Sequence, residues 1–478
     1  MPDTMPPSRV IRCTQHPGKL DSKALEPVDQ LLLILPERIP AALWKRIPQG
    51  SRLQALLKKR AKGELPALQT RRSNKRQTLV VAGRIKPGAD AFARLSFARQ
   101  LVSSALGEKA GSLGIAILGF DSDNVRDLAE AAVAAALAAS FNLPEFKEKP
   151  PPPRVRSVRL LGLAEHIDLD RTIAEAKGNN LARWLTALPP NVLDAANYAD
   201  GLKKLAAEHG WQFKRYSTKE LGKMGAGAFL AVAQGNDNDS ASIVRLRYRP
   251  GKASAKPDLS LVGKGIIFDT GGTNLKPFLS MLGMHGDMQG SAVAIGTFLA
   301  ISELELPLAV DCWLAITENR TGPKAYKSQD LSTALNGKTI HTIHTDAEGR
   351  MVLADTLTLA TREQPKLVID YATLTGAVLN ALTTRYSGVF TNRSDWHPRL
   401  KRAGRTSGER VWPFPIGEEF LEDLKSETAD IQQCSAKPLG DHILAGSFLA
   451  EFIENDTPWV HVDLAASNHK GGLAHVPT

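Results

Sequence analysis

Two hydrophobic periodicities alternate along the 478-residue chain and predict an α/β protein. In the first third, apolar runs of strand length lie at residues 28–36, 79–83 and 114–120, and helical patterns lie at 90–106 and 125–141. Short apolar runs bounded by turn signals are typical of buried strands, whereas longer amphipathic stretches are typical of helices. This part of the chain therefore predicts a smaller N-terminal α/β domain.

The same alternation continues beyond residue 190 over a longer stretch. Strand-like runs alternate here with helical patterns, the strands at 243–248, 258–268, 308–317, 366–371 and 458–464, and the helices at 196–208, 288–303, 350–362 and 441–455. This order predicts a mixed sheet with helices packed on both faces. We expect a second, larger α/β domain.

A proline tract at 150–153 interrupts the pattern, because proline neither donates to a sheet nor continues a helix. A predicted strand at 158–163 follows, and a helical pattern at 168–188 ends at two prolines. We take that helix as the connector and place the boundary near residue 165. The expected domains are 1–165 and 166–478.

Composition is that of an ordinary soluble globular protein, with 43% hydrophobic and 23% charged residues. The three cysteines, Cys13, Cys312 and Cys434, are odd in number and widely separated, which favours a reducing compartment without disulfides. The N-terminal sequence lacks a signal-peptide pattern, and no apolar run approaches the roughly 20 residues of a membrane span. We expect a cytoplasmic protein with no membrane partner.

The net charge of +10 is matched by one basic block at residues 45–76, where eleven Lys or Arg residues accompany a single acid, Glu64. Such blocks are more often solvated surface than binding sites. The competing functional class is a DNA-binding protein that uses this block, alone or as a second function. Trp44 is the one aromatic residue beside the block, which argues against stacking on single-stranded nucleic acid. The block therefore predicts phosphate contact and weak, non-specific DNA binding.

Two short stretches concentrate charged residues inside segments that otherwise look buried. The first is VGKGIIFDTGGTNLKP at 262–277, with an aspartate at 287 beyond it, and the second is HTDAEGRMVLAD at 344–355. Together they contain four carboxylates, two lysines and one arginine, namely Asp269, Asp287, Asp346, Glu348, Lys264, Lys276 and Arg350. Buried carboxylates need a cation, and this oxygen-rich set suits a catalytic divalent metal better than a closed zinc site. Four acids would serve two ions.

Each stretch alone also has an ordinary structural explanation. Asp346 fits a helix N-cap ahead of the apolar run 351–360, and the glycines of GKG and GG fit turns without the spacing of a nucleotide-binding loop. The two stretches together favour the metal site. Both are predicted to lie at strand ends, where ligands collect in open α/β sheets.

VGKGIIFDTGG, the following Lys276-Pro277 and HTDAEGRMVLAD resemble the signatures of the leucyl aminopeptidase (cytosol aminopeptidase) family of dinuclear metallopeptidases, over roughly residues 180–478. The resemblance implies five metal ligands, two of them shared by both ions (Asp269 and Glu348), the others being Lys264, Asp287 and Asp346. It also implies two catalytic residues, Lys276 and Arg350, and a bicarbonate held by Arg350 as general base. A lysine ligand must be neutral, and burial beside a dication lowers its pKa, whereas Lys276 should stay protonated to stabilise an oxyanion.

The resemblance further implies two divalent ions (zinc or manganese, with magnesium as another option), peptide substrates, a homohexamer and a non-catalytic first domain. The stretch DYATLTGA at 370–377 matches the family's substrate groove, which places Thr373, Leu374 and Gly376 along it. Met284 falls where the family has an apolar wall for the first side chain, although core packing would also explain a methionine there. We expect leucine-like N-terminal residues to be preferred.

The chain departs from the family pattern at several positions. His344 stands where the family usually has Asn, and Gln289 and residues 278–282 are atypical around Asp287. The family usually continues through a glycine-rich turn and a final helix beyond the position of Thr478. We expect either a truncated sequence or a differently built last layer.

Overall fold

The computed structural model describes most of the chain, namely residues 4–7, 11–47, 49–58, 67–106, 111–148, 155–236, 238–251, 255–437, 439–464 and 469–477. The chain divides into two compact units. The small unit comprises Ser8–Ala176, Gly404–Glu409 and His469–Thr478, and the large unit comprises Met1–Pro7, Lys177–Ala403 and Arg410–Asn468. This division lies further along the chain than the expected boundary near residue 165. The roles assigned to the two domains stay predictions.

The described part of the small unit is built on a six-stranded sheet with strand order β1-β6-β5-β2-β4-β3. Its strands are β1 (Arg12–Pro17), β2 (Gln30–Pro36), β3 (Ala67–Arg71), β4 (Leu79–Ile85), β5 (Ser112–Ile117) and β6 (Ser157–Leu163). Its helices are α1 (Ser22–Leu25), α2 (Ala41–Trp44), α3 (Gly50–Lys58), α4 (Ala91–Ala105) and α5 (Ser122–Ser140). The α/β pattern predicted for this region is present. The edge strands β1 and β3 were not predicted, because their sequences are polar.

The described residues of the basic block occupy several elements. Lys58 ends α3, Arg71 ends β3, and Arg76 pairs with Asp29 at 2.6 Å. Arg72 is largely buried, with 8% of its surface exposed. Lys59, Arg60, Lys62 and Glu64 lie outside the described residues. DNA binding by this block stays a prediction.

The large unit is organised around a mixed eight-stranded sheet with strand order β15-β14-β17-β13-β9-β10-β8-β7, in its described residues. Its strands are β7 (Gln212–Ser217), β8 (Ser242–Tyr248), β9 (Leu259–Asp269), β10 (Val310–Asn319), β13 (Val368–Ala372), β14 (Ser387–Thr391), β15 (Val411–Pro413) and β17 (Trp459–Asp463). A separate small sheet contains β11 (Leu331–Thr333), β12 (Thr339–His341) and β16 (Ile431–Gln432).

Helices alternate with the strands along this part of the chain, as the pattern predicted. They are α6 (Asp170–Ala187), α7 (Ala195–His209), α8 (Thr218–Met224), α9 (Gly227–Ala233), α10 (Phe278–Met281), α11 (Gln289–Glu303), α12 (Glu348–Arg362), α13 (Gly376–Leu382), α14 (His397–Ser407), α15 (Glu418–Leu421) and α16 (Asp441–Ala450). Both α11 and α12 pack against β9. The approach of α11 requires Gly263, where a Cβ would lie 2.5 Å from Ser291 Cα.

Four central strands run in parallel, and their carboxyl ends therefore meet at one edge of the sheet. The strand β9 pairs in parallel with β10 and β13, and β13 pairs in parallel with β17. The pairs β8–β10, β7–β8 and β14–β17 are antiparallel, and β15 pairs in parallel with β14 at one edge of the sheet. The shared edge carries the ends of β9, β10, β13 and β17, and the candidate site is built there.

Two details differ from the sequence-based expectations. Helix α16 ends at Ala450 instead of 455. The apolar pattern runs past its end because Phe452 and Ile453, which follow the helix, also pack on the core. Asp346 is not a helix N-cap, since α12 begins at Glu348 and its N-cap position is Ala347.

All three cysteines are free. Among the described helices, none is long and apolar enough to cross a membrane.

Candidate metal and catalytic site

The turn after β9 fixes the position of Asp269. Gly271 and Gly272 adopt φ values of +87° and +68°, a left-handed conformation that glycine accepts without strain. This turn lets the backbone N–H of Gly271 donate to Asp269 Oδ1 at 2.8 Å. Thr345 joins the second signature stretch to the first, since its Oγ1 donates to the carbonyl of Gly271 at 2.6 Å. The two signature stretches are therefore in direct contact.

Three carboxylates converge beyond this turn. Asp269, Asp346 and Glu348 each offer an oxygen, and these oxygens lie within 4.8 Å of one another. Asp287 joins the group through Lys264, whose Nζ lies 2.9 Å from Asp287 Oδ2 and 2.9 Å from Glu348 Oε1. The structure thus brings together all five positions predicted as metal ligands.

Asn319 is a site residue that the sequence analysis missed. It ends β10, in register with Asp269, and it is fully buried. Its Nδ2 donates to Asp269 Oδ1 at 2.8 Å and to Glu348 Oε2 at 3.3 Å. Asn319 therefore orients the two carboxylates that the resemblance assigns as shared ligands. The available signal was a polar residue just past a buried strand run.

Lys264 is held in a narrow slot with 3% of its surface exposed. Its Nζ donates to the carbonyl of Thr373 at 2.9 Å, and a Cβ at Gly349 would lie 2.7 Å from the same nitrogen. Burial lowers the pKa of Lys264, but the charges of Asp287 and Glu348 outweigh burial and raise it. A ligand role requires the neutral amine, and a divalent cation would take over this charge compensation.

The carboxylates are incompletely compensated by protein groups. Burial raises the pKa of Glu348 and of Asp287, and the neighbouring charge of Asp269 raises both further, against the opposing effect of Lys264. Two ammonium groups face four carboxylates in this cluster. A divalent cation relieves such an imbalance, and oxygen donors with one neutral amine are suitable ligands. The residues present fit a metal centre.

The two predicted catalytic cations differ in their surroundings. Lys276 Nζ lies 2.8 Å from Asp269 Oδ2 and 2.5 Å from Asp346 Oδ1. Burial lowers the pKa of Lys276, but these carboxylates raise it overall, so its ammonium form is favoured. Arg350 is buried, with Nη2 donating to Asp441 at 2.8 Å and Nη1 donating to the carbonyl of Gln433 at 3.2 Å. Its Nε has no acceptor among the described residues.

The predicted groove residues follow the end of β13. Thr373 Oγ1 donates to Asp287 Oδ1 at 2.7 Å, which links this loop to the metal site. The backbone N–H of Leu374 donates to Asp463 Oδ1 at 3.1 Å, so a buried carboxylate at the end of β17 fixes the loop. A Cβ at Gly376 would meet no atom of the described residues within 4 Å, which leaves open space there. Met284 is half-buried and begins the short 3-10 helix Met284–Gly286 ahead of Asp287.

The site is a cluster of carboxylates that form ion pairs with two lysines, at the carboxyl edge of the parallel strands. In an α/β protein of two units, this arrangement defines a metal-dependent hydrolase. Residues 180–476 match the profile of the cytosol aminopeptidase family, catalytic domain. The chain belongs to the cytosol aminopeptidase family, as its signatures predicted, and is a metallo-aminopeptidase.

Individual relatives support this assignment. The chain is 41% identical over 335 residues to a probable cytosol aminopeptidase of Stutzerimonas stutzeri, covering 69% of this chain and 67% of the relative. It is 39% identical over 360 residues to one of Solibacter usitatus, covering 74% of each. Among solved structures, the apo leucyl aminopeptidase from Trypanosoma cruzi matches with a TM-score of 0.84 at 26% identity, covering 98% of this chain and 95% of that one. The bottromycin maturation enzyme BotP in complex with Mn matches with a TM-score of 0.81 at 27% identity, covering 94% and 95%.

Proposed function

We propose that this metallo-aminopeptidase removes leucine-like residues from peptide N-termini, using two divalent ions. The observation that carries the proposal is the convergence of Asp269, Asp346 and Glu348, with Asp287 attached through Lys264. These five residues would hold the ions. Bound ions would supply Lewis acidity toward the scissile carbonyl and lower the pKa of a water molecule.

The protein groups around the ions have distinct tasks. Lys276, kept protonated by Asp269 and Asp346, stabilises negative charge that develops on the carbonyl oxygen of the substrate. Asn319 and Thr373 hold carboxylate oxygens in place through donated hydrogen bonds. Such fixed donors keep the site geometry from relaxing when charge moves during the reaction.

Arg350 would hold bicarbonate, and the bicarbonate would act as the general base. A guanidinium is not deprotonated in practice and is therefore a poor base, but it binds oxyanions well. Its buried Nε–H, which has no acceptor in the described part of the chain, supports an anionic guest at this arginine. Asp441 and Gln433 fix the other side of the guanidinium fork.

Substrate choice would depend on the groove beside the metals. The open space at Gly376 leaves room for a side chain, and Met284 would offer an apolar wall to it. Thr373 and Leu374 would contact the peptide backbone. A free α-amine can coordinate a metal ion, so a blocked N-terminus should be excluded.

Metal identity, assembly and location are further parts of this proposal. The solved structure of BotP is a complex with Mn, which supports manganese as an occupant alongside zinc and magnesium. The relatives carry the name cytosol aminopeptidase, which supports a cytoplasmic location. The homohexamer stays a prediction by resemblance.

The direct test is hydrolysis of leucine amide after chelation and readdition of Mn²⁺, Zn²⁺ or Mg²⁺, with metal content measured in parallel. We expect activity to vanish on chelation and to return with metal. N-acetyl-leucine amide is the matched control and should remain intact. Full activity without metal, or cleavage of the blocked substrate, would contradict the proposal.

A further inference from the structure

Three ionisable residues are buried beside the loop at 373–375 that follows β13. Asp370 lies on β13, and His461 and Asp463 lie on the neighbouring strand β17. All three are fully buried. Because an ionised side chain is costly to bury, each of them needs partners that compensate its charge. We call Asp370, His461 and Asp463 the buried trio.

Asp370 and His461 form an ion pair across the two strands. The parallel register sets them opposite each other, and Asp370 Oδ1 lies 2.6 Å from His461 Nδ1. The other oxygen of Asp370 accepts a hydrogen bond from Trp459 Nε1 at 2.6 Å. Burial lowers the pKa of His461, but the carboxylates of Asp370 and Asp463 outweigh burial and raise it. The protonated imidazole is therefore favoured, and it supplies a positive charge to both carboxylates.

Asp463 directs both of its carboxylate oxygens to the loop. Its Oδ1 accepts a hydrogen bond from the backbone N–H of Leu374 at 3.1 Å, and its Oδ2 accepts one from Thr375 Oγ1 at 2.7 Å. Burial raises the pKa of Asp463, whereas the charge of His461 and these hydrogen bonds oppose the rise and favour the ionised form. Ionised acceptors make stronger hydrogen bonds than neutral ones. The trio is thus coupled to the loop through a charged acceptor.

One peptide unit of this loop is held from both sides. Its N–H, from Leu374, donates to Asp463, and its carbonyl, from Thr373, accepts from Lys264 Nζ at 2.9 Å. The N–H and the C=O of a planar trans peptide point in opposite directions. Asp463 therefore sets the orientation of a peptide unit whose other side contacts a predicted metal ligand.

We propose that Asp463 is a positioning residue for peptide hydrolysis, which holds the loop at 373–375 in the orientation that binds substrate, with His461 and Asp370 compensating its charge. The inference rests on the proposed function, which makes Thr373 and Leu374 contacts of the peptide backbone. Asp463 acts through the loop and not on the substrate. Because the loop would contact the substrate equally in the ground state and in the transition state, loosening it should raise KM and leave kcat largely unchanged.

The test alters the contacts of Asp463 with the loop. Thr375→Val deletes the hydroxyl group and keeps the branched shape, whereas Asp463→Asn keeps an acceptor for the N–H of Leu374 and loses the charge. Each variant should raise KM for leucine amide about tenfold, with kcat within about twofold of the wild-type value. Metal content should not change, because Lys264 keeps its two carboxylate contacts. Thr375→Ser retains the hydroxyl group and should keep the wild-type KM.

Asp355→Asn is the matched control. Asp355 is also fully buried, and it accepts hydrogen bonds from two backbone N–H groups, those of Phe229 at 2.8 Å and Leu335 at 2.7 Å. Phe229 lies in α9 and Leu335 follows β11, both outside the predicted groove. The general effect of losing a buried charge is therefore common to both aspartate variants, whereas a positioning role predicts that Asp355→Asn keeps the wild-type KM.

The outcomes separate the two proposals. If the wild type fails to hydrolyse leucine amide with metal present, the proposed function is wrong and the positioning role falls with it. If the wild type is active and Thr375→Val keeps the wild-type KM, only the positioning role is overturned. It is also overturned if Asp355→Asn raises KM as much as Asp463→Asn does, or if Thr375→Ser behaves like Thr375→Val. Loss of metal from Asp463→Asn would overturn it as well, because Asp463 would then support the metal centre and not the groove.

Discussion

Gly349 offers a test that separates helix stability from site geometry. An alanine Cβ at this position would lie 2.7 Å from Lys264 Nζ and 2.8 Å from its Cδ and Cε, whereas ordinary contact begins at 3.4 Å. The amine would have to move by about 0.7 Å, and the buried slot resists such overpacking. That movement would disturb the contacts with Asp287, Glu348 and the Thr373 carbonyl, each now at 2.9 Å.

The expected effect of Gly349→Ala on activity is large. Displacements near 1 Å within an active site cost about a hundredfold in rate, equivalent to about 2.7 kcal/mol. The helix itself should tolerate the change, because alanine favours a helix over glycine by about 1 kcal/mol. We therefore expect kcat/KM on leucine amide to fall about a hundredfold while the unfolding temperature changes little.

The matched control is Gly222→Ala in α8, where the new Cβ would lie 3.8 Å from Leu230 Cδ1, an ordinary contact. It should leave activity unchanged. Metal content of both variants, measured on the same preparations, shows whether the loss in Gly349→Ala follows ligand geometry. Wild-type kcat/KM and metal content in Gly349→Ala would refute a role for Lys264 in holding metal.

Further variants test the remaining assignments. Asp269→Ala and Glu348→Ala should abolish turnover and remove bound metal, and retained metal by elemental analysis would contradict shared ligation. Lys276→Ala and Arg350→Ala should lower kcat by about a hundredfold while metal stays bound, whereas metal loss as in Asp269→Ala would make them structural. Burial raises the pKa of Asp355 to about 6 from its ordinary value of 3.8. The preference of the folded state for the protonated carboxyl therefore stabilises the fold fully below pH 3.8, and this contribution is lost as the pH rises through 6. Between pH 4 and pH 7, the free energy of unfolding in urea should therefore fall by up to about 3 kcal/mol more for the wild type than for Asp355→Asn. The same pH dependence in both proteins would contradict this prediction.

The alternating elements could be predicted because the buried strands are long apolar runs. For example, β9 and β10 lie close to the runs predicted at 258–268 and 308–317. The convergence of the charged positions could be predicted because their stretches combine acids, lysines and glycines in family signatures, and their roles stay predictions. The strands β14 and β15 at one end of the sheet could not, since they are short and their pairing depends on neighbours distant in sequence.

Residues that act through tertiary contacts escaped prediction. Asn319 reaches Asp269 through the register of two parallel strands, which no local pattern encodes. Gln433 and Asp441 approach Arg350 from a region more than eighty residues further along the chain, and each looks like an ordinary loop or helix-start residue in the sequence. The sequence therefore predicts which charged groups come together but not the groups that orient them.

Helix α12 delivers Glu348 and Arg350 from its first turn, and every residue from Glu348 to Thr361 is buried. Because no side of this helix faces solvent, it cannot unfold locally without exposing buried residues. Its amide protons should therefore exchange with deuterium only when the surrounding core opens. The slowest-exchanging amides of the large unit should therefore lie in the segment that carries Glu348 and Arg350. A protease that recognises partly opened chains would meet this site only after the fold itself had been lost.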